Sequence, residues 1–120
     1  VMNQDDSAAT RRKIYGEAGS FRICSYGAEY RTPDSFYLRS PETTELVYDL
    51  VNYTLDTLLN GNGKQILKLI KEKQVRKAID SCDKKLSLSI LKKIKLPEDL
   101  LARVTKNYGD LDLYSEWGIK

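Results

Sequence analysis

Arg22, Glu29 and Arg31 are spaced so that one β-hairpin would bring their side chains to the same face. Two short alternating stretches, residues 20–24 and residues 27–32, are separated by Ser25 and Tyr26, which can form a tight turn. With that turn, Arg22 lies opposite Glu29, because cross-strand partners share a face and lie about 5 Å apart at Cβ. Arg31 follows on the same face, and the apolar residues of both strands point to the other.

An Arg–Glu–Arg face suits the binding of anions and of a metal ion. Guanidinium groups bind phosphate or carboxylate through paired hydrogen bonds, and a glutamate beside them can hold Mg²⁺ together with nucleotide phosphates. The loop Gly16–Gly19 before the first strand would let a ligand approach the backbone closely. The alternative is a solvated ion pair that contributes under about 1 kcal/mol. The residue pattern alone leaves both interpretations open.

The composition excludes several kinds of catalytic site in this chain. It contains no histidine, which rules out Ser-His-Asp and Cys-His catalysis and any histidine-ligated metal. Cys24 and Cys82 match no metal-binding spacing, so we expect reduced, structural thiols in a cytosolic protein. The start of the sequence is polar and no apolar run could span a membrane, so we expect neither a signal peptide nor a membrane segment.

The chain of 120 residues predicts a single compact domain with two parts. Residues 1–40 form an N-terminal segment with the charged hairpin, and residues 41–120 form a helical region. Ser40 and Pro41 mark the start of a long helix, because serine caps a helix and proline fits its first turn. The predicted fold class is α+β, a short β-hairpin followed by an α-helical C-terminal bundle. Further helices are predicted over residues 5–15, 64–73, 86–94 and 97–108, with residues 75–82 continuing or following the second of these.

The first long helix carries a broad apolar stripe that we expect to face the core. The sequence NGNG at residues 60–63 ends this helix, since asparagine and glycine both tolerate the left-handed conformation. The stripe comprises Leu46, Val47, Leu50, Val51, Tyr53, Leu55, Thr57 and Leu58.

Two motifs around the hairpin resemble a known enzyme family. From residue 11 the chain reads Arg-Arg-x-x-Tyr-Gly-x-Ala-Gly-x-Phe-Arg, and from residue 26 it reads Tyr-Gly-x-Glu-Tyr-Arg. Together they resemble the phage and bacterial amidoligases of the carboxylate–amine ligase type 2 group, distant relatives of glutamine synthetase and glutamate–cysteine ligase. The resemblance covers about residues 5–38 and implies part of a glutamine synthetase-like fold. The tryptophan that often follows the Glu-x-Arg strand in that family is replaced here by Thr32-Pro33.

The resemblance implies an ATP- and Mg²⁺-dependent ligase that phosphorylates a carboxylate and lets an amine displace the phosphate. Glu29 matches the glutamate that binds Mg²⁺. Arg31 matches the arginine that contacts the phosphate or the carboxylate substrate, and Arg22 the arginine that stabilises the transferring phosphoryl group. Arg11 or Arg12 would supply another phosphate contact, and the motif does not choose between them.

The resemblance also implies partners and a context. The substrates would be a small-molecule carboxylate and amine, or a protein or peptide acceptor, in the cytoplasm of a bacterial or phage-infected cell. The family's further metal-binding acids lie on strands upstream. We therefore expect this chain to be the C-terminal portion of such an enzyme and inactive when isolated. The exposed sheet edge and apolar face of the hairpin also make a homo-oligomer a possibility.

The lysine-rich helices support a different interpretation. Residues 61–120 carry 14 Lys and Arg against 8 Asp and Glu, with most of the lysines in residues 64–95. A small phage-type helical binding module could use this surface on nucleic acid or on a protein partner. No aromatic residue lies among these lysines and no helix-turn-helix or RNA-binding motif is present, so the sequence favours solvated helix faces over a nucleic-acid interface.

Overall fold

After one short helix, a two-stranded β-hairpin precedes a longer helix and a series of shorter ones, which confirms the predicted α+β class. The computed structural model describes residues 6–33, 35–109 and 111–119. The elements, in chain order, are α1 (Asp6–Ile14), β1 (Phe21–Cys24), β2 (Gly27–Tyr30), a 3-10 helix (Ser35–Arg39), α2 (Pro41–Leu59), α3 (Gly63–Leu69), α4 (Glu72–Asp80), α5 (Lys84–Lys93), α6 (Glu98–Thr105) and α7 (Leu113–Glu116).

The antiparallel hairpin has the register that the sequence predicts. Arg22 is paired with Glu29 and Cys24 with Gly27, so the turn contains two residues. The apolar side chains of Phe21, Ile23 and Tyr30 are each more than half exposed. The hairpin therefore depends on contacts from elsewhere in the chain, because two strands alone are marginally stable in water.

The start of α2 is confirmed as a capped helix. The Ser40 hydroxyl accepts a hydrogen bond from the Thr43 backbone N–H at 3.2 Å, and the Ser40 N–H donates to Thr43 Oγ1 at 3.0 Å. Pro41 occupies the first helical position. This reciprocal capping satisfies backbone donors that the first turn of a helix leaves unpaired.

The core lies between α2 and α6. Its buried members pack with half-buried side chains such as Leu50 and Tyr53. Arg103 on α6 donates to Asp49 Oδ2 on α2 at 2.6 Å, which joins the same two helices at the edge of the core. The buried cluster comprises Leu46, Leu96, Leu100, Val104 and Tyr108.

Only part of the predicted apolar stripe of α2 is buried. Leu46 is fully buried, but Val51, Leu55 and Leu58 are at least half exposed. The reason is that α6 packs against the face of α2 that carries Leu46, Leu50 and Tyr53, and the three exposed residues are not part of that cluster. Of these three side chains, Leu58 borders an apolar cleft of about 240 Å³ between the end of α2 and α3.

Helix boundaries in the second half also differ from the predictions. The helix predicted over residues 64–73 ends at Leu69, because Ile70 and Lys71 have extended backbone before α4 begins at Glu72. Residues 75–80 therefore belong to a separate, following helix, and residues 81–82 form a turn after it. The last predicted helix ends at Thr105, and the sequence did not indicate α7 or the 3-10 helix.

The sequence also led to predictions about the two cysteines and about membrane-spanning segments. Cys24 and Cys82 are partly buried and not joined in a disulfide. Within the described ranges, the helices are too short or too polar to cross a membrane.

Candidate functional site

The charged face of the hairpin brings Arg22, Glu29 and Arg31 together. Arg22 Nη2 donates to Glu29 Oε2, and Arg31 Nε donates to Glu29 Oε1 at 3.2 Å. This arrangement follows from the register, because the paired residues 22 and 29 share a face and Arg31 lies two residues beyond Glu29. Each oxygen of one carboxylate thus holds one guanidinium group.

This cluster is open to solvent. The side chains of Arg22, Glu29 and Arg31 are 55%, 39% and 25% exposed. Ion pairs at such exposed positions contribute little to folding, so stability alone does not explain the arrangement. Among the described residues, the remaining N–H groups of both guanidiniums have no hydrogen-bond partner, which leaves them available to an anion.

The two arginines keep Glu29 ionised. The hydrogen bond from Arg31, followed by that from Arg22, lowers the pKa of Glu29 below its ordinary value of 4.5. At neutral pH the cluster therefore has two positive charges and one negative charge. Its net positive charge suits a phosphate or carboxylate ligand.

Tyr15 also contacts the cluster. Its ring centroid lies 4.9 Å from Cζ of Arg31 and 5.2 Å from Cζ of Arg11. Such cation–π contacts restrain a guanidinium group. The sequence interpretation missed this residue, although Tyr15 is the tyrosine of the first motif.

Arg11 and Arg12 lie beside the hairpin and donate to backbone carbonyls of the segments that flank it. Arg11 donates to the carbonyls of Arg31, Thr32 and Pro33 at 3.0–3.1 Å. Arg12 Nη1 lies 3.3 Å from the carbonyls of Gly16 and Thr32. Both guanidiniums thus hold these segments in place, and their predicted contact with phosphate stays a prediction.

Gly16 allows Arg11 to take this position. The backbone at Gly16 has φ +85°, and a Cβ there would lie 2.3 Å from Arg11 Nη1. A side chain would therefore collide with a guanidinium that three carbonyls hold in place. This explains why glycine follows Tyr15 in the first motif.

The described residues do not fit a complete Mg²⁺ site. Glu29 accepts an arginine hydrogen bond on both oxygens, and nowhere in the described ranges do three or more acidic, cysteine or histidine side chains gather as metal ligands. Mg²⁺ needs several oxygen ligands. Any further protein ligands would have to come from outside these residues.

The lysines between residues 64 and 95 all lie on exposed surface. They are distributed over α3, α4, α5 and the turns between them, and Arg76 is paired with Glu72 at 2.9 Å. The exposed lysines are Lys64, Lys68, Lys71, Lys73, Lys77, Lys84, Lys85, Lys92, Lys93 and Lys95.

Comparison with known proteins identifies a family for this chain. A family model described as phage phiEco32-like COOH.NH2 ligase-type 2 matches residues 1–114. The match thus includes the charged hairpin and the helices that follow it. No curated protein matches the chain, and no solved structure matches it.

Proposed function

Because this chain belongs to the phage phiEco32-like carboxylate–amine ligase type 2 family, we propose that its charged hairpin serves ATP-dependent amide-bond formation. The observation that carries the proposal is the convergence of Arg22 and Arg31 on Glu29 at an open surface. A phosphate-binding site requires fixed positive charge with free donors, and this face has both.

We assign each residue of the cluster a role that its contacts support. Arg22, the more exposed arginine, stabilises the phosphoryl group in transfer. Arg31, held by Glu29 and Tyr15, binds the terminal phosphate or the carboxylate substrate. Glu29 orients both guanidiniums. Phosphoryl transfer depends mainly on positioned positive charge around the phosphate oxygens, so this set does not require a histidine base.

The proposed reaction has two steps. A carboxylate oxygen of the substrate attacks the γ-phosphorus of ATP, and ADP leaves as an acyl phosphate forms. An amine nitrogen then attacks the acyl carbon, and inorganic phosphate leaves as the amide forms. The substrates are a small-molecule carboxylate and amine or a peptide acceptor, and the hairpin supplies charge and orientation in the first step.

We further propose that the 120-residue chain binds polyphosphate but does not complete the reaction alone. Glu29 is its one acidic residue in the cluster, and both of its oxygens are engaged. The Mg²⁺ that the family's chemistry uses would need ligands that the described residues do not supply. Additional strands, in the same polypeptide or a partner, would provide them.

Calorimetric titration with inorganic tripolyphosphate tests the proposal. Arg22→Gln and Arg31→Gln should each weaken binding at least about tenfold, or about 1.4 kcal/mol, because each removes a guanidinium from the site. Lys93→Gln, which removes one positive charge from exposed surface on α5, is the matched control and should leave the affinity unchanged.

Two results would contradict the proposal. One is an unchanged affinity in both arginine variants. The other is a loss of affinity when lysines of α3 and α5 are changed to glutamine while Arg31→Gln has no effect. The second result would instead support a binding module that uses its lysine-rich helices.

A further inference from the structure

Helix α4 holds the loop that leads into the charged hairpin. The backbone N–H of Ala18 donates to Asp80 Oδ1 at 2.7 Å, and Arg76 Nη1 donates to the Ala18 carbonyl at 2.6 Å. Ala18 is only 2% exposed. Both backbone polar groups of one buried loop residue are thus satisfied by two side chains of a distant helix, and we call this arrangement the α4 clamp.

Further hydrogen bonds connect the clamped loop to Arg31. The Glu17 carbonyl accepts from Ser20 N–H at 3.0 Å and from Thr32 Oγ1 at 2.8 Å. The Ser20 carbonyl then accepts from Arg31 N–H at 2.9 Å. A connected set of hydrogen bonds therefore joins α4 to the backbone of the residue proposed to bind phosphate.

Arg76 fits closely against this loop. Gly19 has φ +81°, and a Cβ there would lie 3.1 Å from Arg76 Nη2. Glu72, one turn earlier on α4, accepts from Arg76 Nε at 2.9 Å and so orients the guanidinium. The second glycine of the first motif thus provides both the left-handed backbone and the space for Arg76.

We propose that Arg76 and Asp80 are positioning residues for the phosphate-binding hairpin. This inference rests on the proposed function. The hairpin buries little apolar surface of its own, since Phe21, Ile23 and Tyr30 are mostly exposed. Side-chain contacts to its flanking loops help to set its orientation, and the α4 clamp is one contact that ties it to the helical region.

Amide hydrogen exchange tests the coupling without any ligand. Asp80→Ala removes the acceptor for Ala18 N–H, so exchange of the Ala18 and Arg31 amides should speed up at least about tenfold while the amides of α2 stay unchanged. Asp80→Asn keeps an acceptor oxygen and should largely retain protection. Lys77→Gln, at an exposed position on α4, is the control that removes charge and leaves the clamp intact. Unchanged exchange at Arg31 in Asp80→Ala would overturn the inference.

Tripolyphosphate titration of the same variants separates this inference from the proposed function. Asp80→Ala and Arg76→Gln should weaken binding severalfold, and Asp80→Asn should retain most of it. If Arg31→Gln weakens binding but Asp80→Ala does not, the positioning role is wrong and the proposed function stands. If Asp80→Ala speeds exchange at Arg31 but Arg31→Gln leaves the affinity unchanged, the proposed function is wrong and the coupling stands.

Discussion

Glu29 accepts a hydrogen bond on each carboxylate oxygen, and this double contact turns Arg22 and Arg31 toward the same open surface. Without the carboxylate, two guanidiniums on one hairpin face would repel each other. Glu29 therefore holds the guanidinium groups of both arginines in position.

For this single residue, we predict the midpoint at which the Glu29 carboxyl group titrates. Its carboxyl group should titrate with a midpoint below 4.5, and Arg31→Gln should raise that midpoint because the hydrogen bond from Arg31 is the largest cause of the lowered pKa. Since the pKa is lower in the folded state, any stability that Glu29 contributes is present above about pH 4.5 and lost as the pH falls through the lowered value. Carboxyl ¹³C NMR measures this directly, and a midpoint at or above 4.5 in the native chain would contradict it.

The residues of this cluster could be predicted from the sequence because strand alternation and a two-residue turn fix which side chains share a face. The directions of Arg11 and Arg12 could not, since a long guanidinium side chain can reach either a ligand or a nearby carbonyl. Arg76 and Asp80 gave no sequence signal. Their contact with Ala18 depends on how α4 packs against the loop before the hairpin. A local sequence pattern does not determine that packing.

Among the elements, α2 organises the helical region. It is the longest helix, it begins at a buried capping box, and its one covered face forms the core with α6. Ser40 is fully buried, so its hydrogen bonds with Thr43 have no replacement from water. The cap therefore contributes to stability more than an exposed cap would.

Ser40→Ala should destabilise the chain by about 1–2 kcal/mol, because it leaves a buried helix N-terminus without its side-chain acceptor. Urea denaturation measures the change. Thr54→Ala is a matched control on the same helix, since Thr54 is exposed and its hydroxyl donates to the Leu50 carbonyl within the helix. We expect a change within about 0.5 kcal/mol for the control, and equal losses in both variants would argue against a special role for the cap.

The sequence predicts where the hairpin turns and where α2 begins better than it predicts which elements pack against each other. The hairpin turn and the α2 cap follow from local chemistry, so the sequence predicted both. Whether Val51 and Leu55 are buried depends on which face of α2 meets α6, and whether residues 64–80 form one helix or two depends on two extended residues without a glycine or proline to mark them. Periodicity alone does not decide such questions.

Across the whole molecule, the helical region has a buried core and the hairpin has none. The apolar hairpin face and the outer edges of both strands remain uncovered by the described residues. Exposed strand edges next to apolar side chains favour pairing with another chain. For the isolated chain, the available partner is a second copy.

We therefore predict concentration-dependent self-association through the hairpin. Sedimentation velocity should show an average mass above 13.7 kDa that rises with concentration. The double substitution Phe21→Thr and Ile23→Thr should reduce it, because both side chains are exposed on the apolar face. Leu59→Thr, which changes an exposed leucine at the end of α2, should have little effect. A monomer at every concentration would contradict the prediction.

The proposed binding of ATP phosphates by Arg22 and Arg31 is tested most directly by NMR of the ¹⁵N-labelled chain titrated with ATP. Following the Nε–H signals of the arginines locates the contact without any assumption about the substrates. We predict shifts at Arg22 and Arg31 and at the neighbouring hairpin amides, with α3, α4 and α5 little changed away from the loop contact. Shifts confined to the lysine-rich helices, or a hairpin unaffected by ATP, would contradict a phosphate-binding role for the Arg–Glu–Arg face.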